Sequence, residues 1–249
     1  MTMSRRSFLG AAAAWFVGAG SLETTGCAAQ GGAPEGTMDA QISPGAAWGE
    51  MRIRTSRGAV RGVVHAAEGA RGAAVLVSGA GGGVKGPSGV YPALAERLRA
   101  DGVTVLRLDY RKPNNLPECT YDVLAALDAL GRRGVERAVL VGWSFGGAVV
   151  ISAGAASERV VGVATVASQT YGTENVDELS PEKSLLLIHG TADQTLPAEL
   201  SRQLYARAGE PKELVLYSSD GHGIERHRSK MLQKLHVWSR NLLLHDADI

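Results

Sequence analysis

The stretch that decides the fold is Val139-Leu140-Val141-Gly142-Trp143-Ser144-Phe145-Gly146-Gly147, an apolar β-rich run, a G-x-S-x-G turn and the start of a small-residue helix. Glycine is needed two residues on either side of the serine, because a strained turn brings neighbouring backbone close to any Cβ. The turn presents the Ser144 hydroxyl above a sheet, and the amino end of the next helix favours negative charge there. Between a buried strand and a helix this pattern is typical of a nucleophile, so we predict that Ser144 attacks a carbonyl.

On both sides of this turn, apolar runs alternate with helical patterns. Continuous apolar runs such as 185–188 fit strands that are buried on both faces of a parallel sheet. The sequence therefore predicts an α/β fold, a doubly wound and mostly parallel eight-stranded sheet whose sites lie at the carboxyl ends of the strands. The predicted strands are 51–55, 60–65, 73–78, 103–107, 138–142, 160–166, 185–189 and 214–217. The predicted helices are 91–100, 121–132, 145–156, 198–208 and 226–243.

An acid candidate follows the seventh predicted strand in Gly190-Thr191-Ala192-Asp193. A carboxylate at this strand end can hold an imidazole in its useful tautomer and stabilise the imidazolium as it forms. The alternative is that Asp193 forms a turn or caps the helix after Pro197. We predict the catalytic role, because Asp193 comes after the serine and before the histidine that follows.

The base candidate is His222, in the loop after the eighth predicted strand. Its flanking glycines let the loop carry the ring over the sheet edge, where a neutral nitrogen can accept the hydroxyl proton near pH 7. His227 is the second candidate, and Asp220 is too close in the chain to His222 to reach its far ring nitrogen. The remaining histidines are interpreted as structural or solvated: His65, His189, His236 and His245.

Over residues 51–244 the chain resembles the α/β-hydrolase superfamily, and in compactness it is most similar to dienelactone-hydrolase-like and small esterase members. The family order of nucleophile, acid and histidine matches Ser144, Asp193 and His222. The resemblance implies the α/β-hydrolase fold and acyl transfer by a catalytic triad.

The glycine-rich segment after the third predicted strand, Ser78-Gly79-Ala80-Gly81-Gly82-Gly83, stands where the family usually has His-Gly and an oxyanion-hole residue. The resemblance implies that the backbone amides of Ala80, with Gly81 as the alternative, and of Phe145 bind the oxyanion. A phosphate-binding loop is the other interpretation, but no G-x-x-x-x-G-K-S/T pattern opens the next helix.

The segment available for a lid, 169–183, is long enough only for a loop or one helical turn, so we expect an open pocket. Gly81, Trp143 and Tyr171 are the predicted substrate-binding residues, and Tyr110 is a further candidate. Each of these three aromatic side chains, Trp143, Tyr110 and Tyr171, could equally pack in the core. The expected reaction is hydrolysis of a small or short-chain carboxylic ester through an acyl-enzyme.

Three other functions remain open: a thioesterase or peptidase with the same triad, and a non-catalytic α/β-hydrolase-fold binding lipoprotein. We expect no metal and no organic cofactor, because no cluster of His, Cys and carboxylates has ligand spacing.

Residues 1–27 are interpreted as an export signal, with Ser4-Arg5-Arg6-Ser7-Phe8-Leu9 ahead of an apolar run that ends near Gly20. The paired arginines resemble a twin-arginine signal, and a general secretory signal is the alternative. Cys27 follows glycine, as in a lipoprotein signal, so it is a possible membrane tether. The expected product is periplasmic or membrane-anchored, with a flexible linker at 28–47 and one folded domain at 48–249.

Composition agrees with one ordinary globular domain: 249 residues, of which 45% are hydrophobic and 20% charged. The 26 basic and 25 acidic residues nearly balance, and no stretch clusters Lys and Arg with aromatics. A nucleic-acid partner is therefore not expected, the predicted partner is a small-molecule ester substrate, and the oligomeric state is left open.

Overall fold

A nine-stranded sheet organises the computed structural model, which describes residues 35–41 and 46–244. The strand order across the sheet is β1-β2-β3-β5-β4-β6-β7-β8-β9. The bounds are β1 (Thr37–Gln41), β2 (Gly49–Thr55), β3 (Gly58–His65), β4 (Gly72–Val77), β5 (Thr104–Asp109), β6 (Arg137–Trp143), β7 (Val160–Val166), β8 (Ser184–Gly190) and β9 (Lys212–Tyr217).

Six neighbouring strands run parallel: β5, β4, β6, β7, β8 and β9. The other three strands, β1, β2 and β3, pair antiparallel with their neighbours. β4 is buried along its whole length, as expected for a strand covered on both faces. The predicted doubly wound, mostly parallel sheet is therefore confirmed, and its eight predicted strands correspond to β2–β9.

β1 is the ninth strand, and it lies inside the segment that the sequence predicts as a flexible linker. It pairs antiparallel with β2, with Thr37 opposite Arg54, and it buries the side chain of Met38. The prediction of eight strands was wrong because it missed β1. Its five residues, between Gly- and Pro-rich stretches, are too few to show a recognisable alternation of apolar and polar side chains. The predicted export signal, including Cys27, and the rest of that linker up to residue 34 lie outside the described residues and stay predictions.

Five helices cover the two faces of the sheet within the described chain: α1 (Val90–Ala100), α2 (Leu116–Gly131), α3 (Phe145–Ala155), α4 (Glu199–Arg207) and α5 (Arg228–Leu244). α1 and α5 pack on one face, and α2, α3 and α4 pack on the other, which creates two apolar cores. None of the helices in 46–244 is long and apolar enough to span a bilayer.

α2 begins five residues before its predicted start at residue 121. The side chain of Asn115 accepts a hydrogen bond from the Glu118 amide at 3.1 Å, so it caps the helix, and Pro117 occupies the first turn. Both are ordinary start signals, which the apolar periodicity alone did not reveal.

The segment available for a lid, 169–183, contains one short 3-10 helix, Val176–Leu179. β4, β6, β8 and β9 all run parallel, so their carboxyl ends lie at one edge of the sheet. The loops that follow these strands carry the candidate site.

Candidate active site

Ser144 lies between β6 and α3 with φ 57° and ψ −123°, a conformation that L residues rarely adopt. Such a conformation costs about 1–3 kcal/mol and persists only where the surroundings hold it. The Ser144 amide donates to the Val166 carbonyl at 2.8 Å, and its own carbonyl accepts from the Gly147 amide at 2.9 Å. The turn is thus fixed by β7 on one side and by the first turn of α3 on the other.

The glycines around Ser144 are required by close backbone approaches. A Cβ on Gly142 would overlap the Gly146 carbonyl, and a Cβ on Gly146 would overlap the carbonyl of Ser78. A Cβ on Gly147 would overlap the side chain of Ser168. The G-x-S-x-G spacing therefore lets β6, α3 and the end of β4 approach one another around the serine.

We expect Gly146→Ala to lower the free energy of unfolding by about 1–3 kcal/mol, the usual cost of overpacking, because its obstacle is rigid backbone. Gly81→Ala is the matched control: no atom lies within 4 Å of a Cβ built there. Its effect should stay within about 0.5 kcal/mol. Urea unfolding of both variants measures the difference, and equal stabilities would contradict the role assigned to Gly146.

The acid and base candidates meet at the sheet edge. Asp193 follows β8 and His222 follows β9, its parallel neighbour, so both loops leave the same edge. His222 Nδ1 lies 2.7 Å from Asp193 Oδ2, and the Asp193 side chain is fully buried. Because an ionised carboxylate can only accept, Nδ1 carries a proton, so in the neutral ring Nε2 has the lone pair that a general base needs.

Asp193 stays ionised despite its burial. Burial alone raises the pKa of this carboxyl, but hydrogen bonds from the Leu196 amide, His222 and the Thr195 amide outweigh it and hold the pKa below its usual value. The Thr195 and Leu196 amides reach Oδ1 at 2.8 and 3.0 Å respectively. Oδ1 is thereby occupied by backbone, and Oδ2 is the oxygen that faces His222.

Trp143 joins the nucleophile turn to the histidine loop. Its indole Nε1 donates to the His222 carbonyl at 3.0 Å, and the two rings lie 5.5 Å apart between centroids. Because Trp143 directly precedes Ser144, this contact ties the two loops together. Trp143, which is a predicted substrate-binding residue, thus contacts and supports the loop of the candidate base.

The two tyrosine candidates differ in position. Tyr171 is 75% exposed on the 169–183 segment, where it is free to meet a ligand. Tyr110 is buried: its hydroxyl donates to the Ser78 carbonyl at 3.2 Å, and its ring packs edge-on against Phe145. Tyr110 is therefore a core residue beneath the site.

The glycine-rich loop after β4 lies against the nucleophile. A Cβ on Gly79 would lie 3.3 Å from the Cβ of Ser144, and Ala80 and Gly81, both exposed, are the next two residues of the loop. The amide of Phe145, the first residue of α3, is one of the four that lack a partner within a helix. Of the two predicted oxyanion donors, Phe145 directly follows Ser144, and Ala80 directly follows the glycine that lies against it.

Side chains from β5 hold this loop in place. Asp109 Oδ1 accepts from the Gly83 amide at 2.7 Å, and the Arg107 guanidinium donates to the Val84 carbonyl at 3.0 Å. The Gly82 amide closes a turn onto the Gly79 carbonyl at 3.0 Å. The loop is therefore anchored at both ends.

The alternative base and acid pair with each other. Asp220 Oδ2 lies 2.6 Å from His227 Nδ1, and its Oδ1 accepts from the Arg226 amide at 2.8 Å. Asp220 is buried, and His227 stacks on Tyr217 just before α5. This pair closes the loop that carries His222 rather than entering the candidate triad.

Sequence reasoning missed one contact of the site. His189, interpreted above as structural or solvated, is buried with Nε2 3.2 Å from Asp193 Oδ2. The available signal was its place at the end of a buried strand, four residues before the acid candidate. His236 instead pairs with Asp101 at 2.6 Å, His65 is buried beside Arg107, and His245 lies outside the described residues.

A metal site was not expected, and within 35–41 and 46–244 no group of three or more His, Cys, Asp or Glu side chains is placed to hold a metal ion.

Residues 74–181 match a family model described as the alpha/beta hydrolase family. The uncharacterized protein YfhR of Escherichia coli K12 is 36% identical over 99 residues, which are 39% of this chain and 33% of that protein. The chain thus spans about a third of the length of the curated relatives it matches.

Solved structures resemble the chain over most of its length. A dienelactone hydrolase from Anabaena variabilis has a TM-score of 0.67 at 18% identity, covering 85% of this chain and 99% of its own. The esterase domain of a Rhodothermus marinus protein has a TM-score of 0.65 at 18% identity, covering 79% and 99% respectively. The chain has the α/β-hydrolase fold, as its resemblance to that superfamily implied.

Proposed function

We propose that this protein is a serine hydrolase that cleaves carboxylic esters of small or short-chain acids through an acyl-enzyme intermediate. The observation that carries the proposal is the 2.7 Å contact between His222 Nδ1 and Asp193 Oδ2, in a loop that Trp143 ties to the strained Ser144 turn. A buried, ionised acid, a histidine with a free Nε2 and a strained serine are the parts that acyl transfer needs.

In the first half of the proposed reaction, Ser144 Oγ forms a bond to the ester carbonyl carbon and gives its proton to His222 Nε2. The carbonyl π electrons move to oxygen, and the amides of Ala80 and Phe145 stabilise that negative charge. When the tetrahedral intermediate collapses, the bond to the alcohol breaks and His222 returns the proton to the leaving oxygen. The alcohol departs and the acyl group stays on Ser144.

In the second half, a water molecule repeats these steps. His222 Nε2 takes a proton from the water as its oxygen attacks the acyl carbon, and then returns that proton to Ser144 Oγ as the ester bond to the serine breaks. The products are a carboxylic acid and the free enzyme. Asp193 stays ionised throughout and stabilises the imidazolium of each half-reaction.

The size of the acyl group is argued from the cover over the site. The 169–183 segment supplies one 3-10 helix and the exposed Tyr171, which offer little apolar surface to enclose a long chain. An open site favours a short acyl group, or the exposed end of a larger ester, over a fully enclosed lipid.

A series of p-nitrophenyl esters from acetate to dodecanoate tests this proposal. We expect kcat/KM to be highest for the short acyl chains and to fall with length, with a burst of p-nitrophenol where deacylation is slow. Background hydrolysis is measured with Ser144→Ala protein. A rise of kcat/KM up to dodecanoate would contradict the open-site argument, and turnover of thioesters or peptides alone would replace the ester assignment.

A further inference from the structure

His189 lies directly beneath the acid candidate, at the end of β8. Its ring is fully buried and is held on both sides. On one side, Nδ1 lies 2.6 Å from the hydroxyl of Ser201, a buried residue of α4. On the other, Nε2 lies 2.9 Å from the Leu196 carbonyl oxygen and 3.2 Å from Asp193 Oδ2.

These contacts fix the tautomer of the ring. Burial lowers the pKa of His189, so the ring is neutral at neutral pH and carries one proton. Nε2 faces only acceptors, a carbonyl and a carboxylate, so it must carry that proton. Nδ1 is then an acceptor, and the Ser201 hydroxyl donates to it.

The Nε2–H of His189 therefore points into the turn that carries the acid. Its shorter contact is to the Leu196 carbonyl, and the amide of that same Leu196 donates to Asp193 Oδ1. Its longer contact is to Asp193 Oδ2, the oxygen that accepts from His222. One buried N–H thus touches both ends of the 193–196 turn.

We propose that His189 is a positioning residue for the catalytic acid, and that Ser201 sets its tautomer for this task. The inference deepens the proposed function and rests on it. A carboxylate with two oxygens can rotate about its side chain, and the amides of Thr195 and Leu196 hold only Oδ1. His189 fixes the turn from below, so that Oδ2 stays directed at His222.

The tautomer is measured on the wild-type protein without any substrate, by long-range 1H–15N correlation spectra of the imidazole rings. We expect the proton of His189 on Nε2. His227 is an internal reference, because its Nδ1 faces the Asp220 carboxylate and should carry the proton. A proton on Nδ1 of His189, or a doubly protonated ring at neutral pH, would overturn the proposal.

Two substitutions test the effect on catalysis. His189→Phe fills the same space without a donor, and we expect kcat to fall about tenfold, the factor that one charge-assisted hydrogen bond is worth, with KM unchanged. His189→Gln offers an N–H near the position of Nε2 and should recover most of the loss. Full kcat in folded His189→Phe protein, or no recovery in His189→Gln, would overturn the assignment.

A double-mutant comparison separates positioning from a merely structural role. In an Asp193→Asn background, His189→Phe should cause little further loss of kcat, because the carboxylate it positions is gone. A further tenfold loss there would mean that His189 acts elsewhere. If His189→Phe protein does not fold, Ser201→Ala replaces it, with a smaller loss of kcat expected and the same test of additivity.

Failure of this inference differs from failure of the proposed function. The 15N spectra report the His189 tautomer whether or not the protein cleaves esters, and the rate of fluorophosphonate labelling replaces kcat where no ester is turned over. If His189 carries its proton on Nε2 but Ser144 does not react, the proposed hydrolase function is rejected. If Ser144 reacts and His189→Phe leaves its labelling rate unchanged, only the positioning role of His189 is rejected.

Discussion

Ser144→Ala should lower kcat for ester hydrolysis by about 10⁴-fold or more, because the Ser144 oxygen forms the covalent bond that joins the acyl group to the enzyme. The substituted alanine should adopt the same backbone conformation, since alanine and serine are equally strained at φ 57°. The thermal unfolding midpoint should therefore change little. Steady-state hydrolysis of the best p-nitrophenyl ester, together with thermal unfolding, measures both effects.

Two further variants control this experiment. Ser229→Ala removes an exposed hydroxyl from α5 and should leave kcat unchanged. Ser144→Gly also lacks the nucleophile but accepts the positive φ, so it should be inactive and more stable than wild type by about 1 kcal/mol. Wild-type kcat in Ser144→Ala protein would mean that another group attacks the ester.

Asp193→Asn should lower kcat by about 10⁴-fold, the second large effect. An amide can donate to His222 Nδ1 and so favour the wrong tautomer, and it removes the charge that stabilises the imidazolium. The loss should appear in kcat rather than in substrate binding, because Asp193 is buried below the base.

The matched control is Asp220→Asn, since Asp220 is also a buried carboxylate that pairs with a histidine. Its loss should cost about 1–3 kcal/mol in the free energy of unfolding, because it leaves a buried hydrogen-bonding group poorly satisfied, with a fall in kcat below about tenfold. If Asp220→Asn abolished turnover while Asp193→Asn did not, the acid would have to be reassigned.

The candidate triad was accessible from sequence because each of its members follows a strand that its own apolar run reveals. Ser144 carries local glycines, and Asp193 and His222 follow the ends of two strands that the predicted parallel sheet places side by side. Local patterns and one topological rule were therefore sufficient for these three residues.

The ninth strand and the places of Tyr110 and His189 come from tertiary contacts that local sequence does not encode. β1 exists because β2 offers an edge for pairing, and only Met38 and the half-buried Ala40 mark its inner side. Tyr110 and His189 are polar residues whose partners lie on other elements: Ser78 after β4 and Ser201 in α4. Whether such side chains enter the pocket, the core or the support of the site is decided by packing between distant segments.

The central claim is that Ser144 is an activated nucleophile, and labelling with a fluorophosphonate followed by peptide mass spectrometry tests it most directly. We predict a single phosphonyl adduct on Ser144, formed at a rate that His222→Ala lowers strongly and that Ser229→Ala leaves unchanged. An adduct on another residue, or an unlabelled Ser144 in folded wild-type protein, would contradict the account.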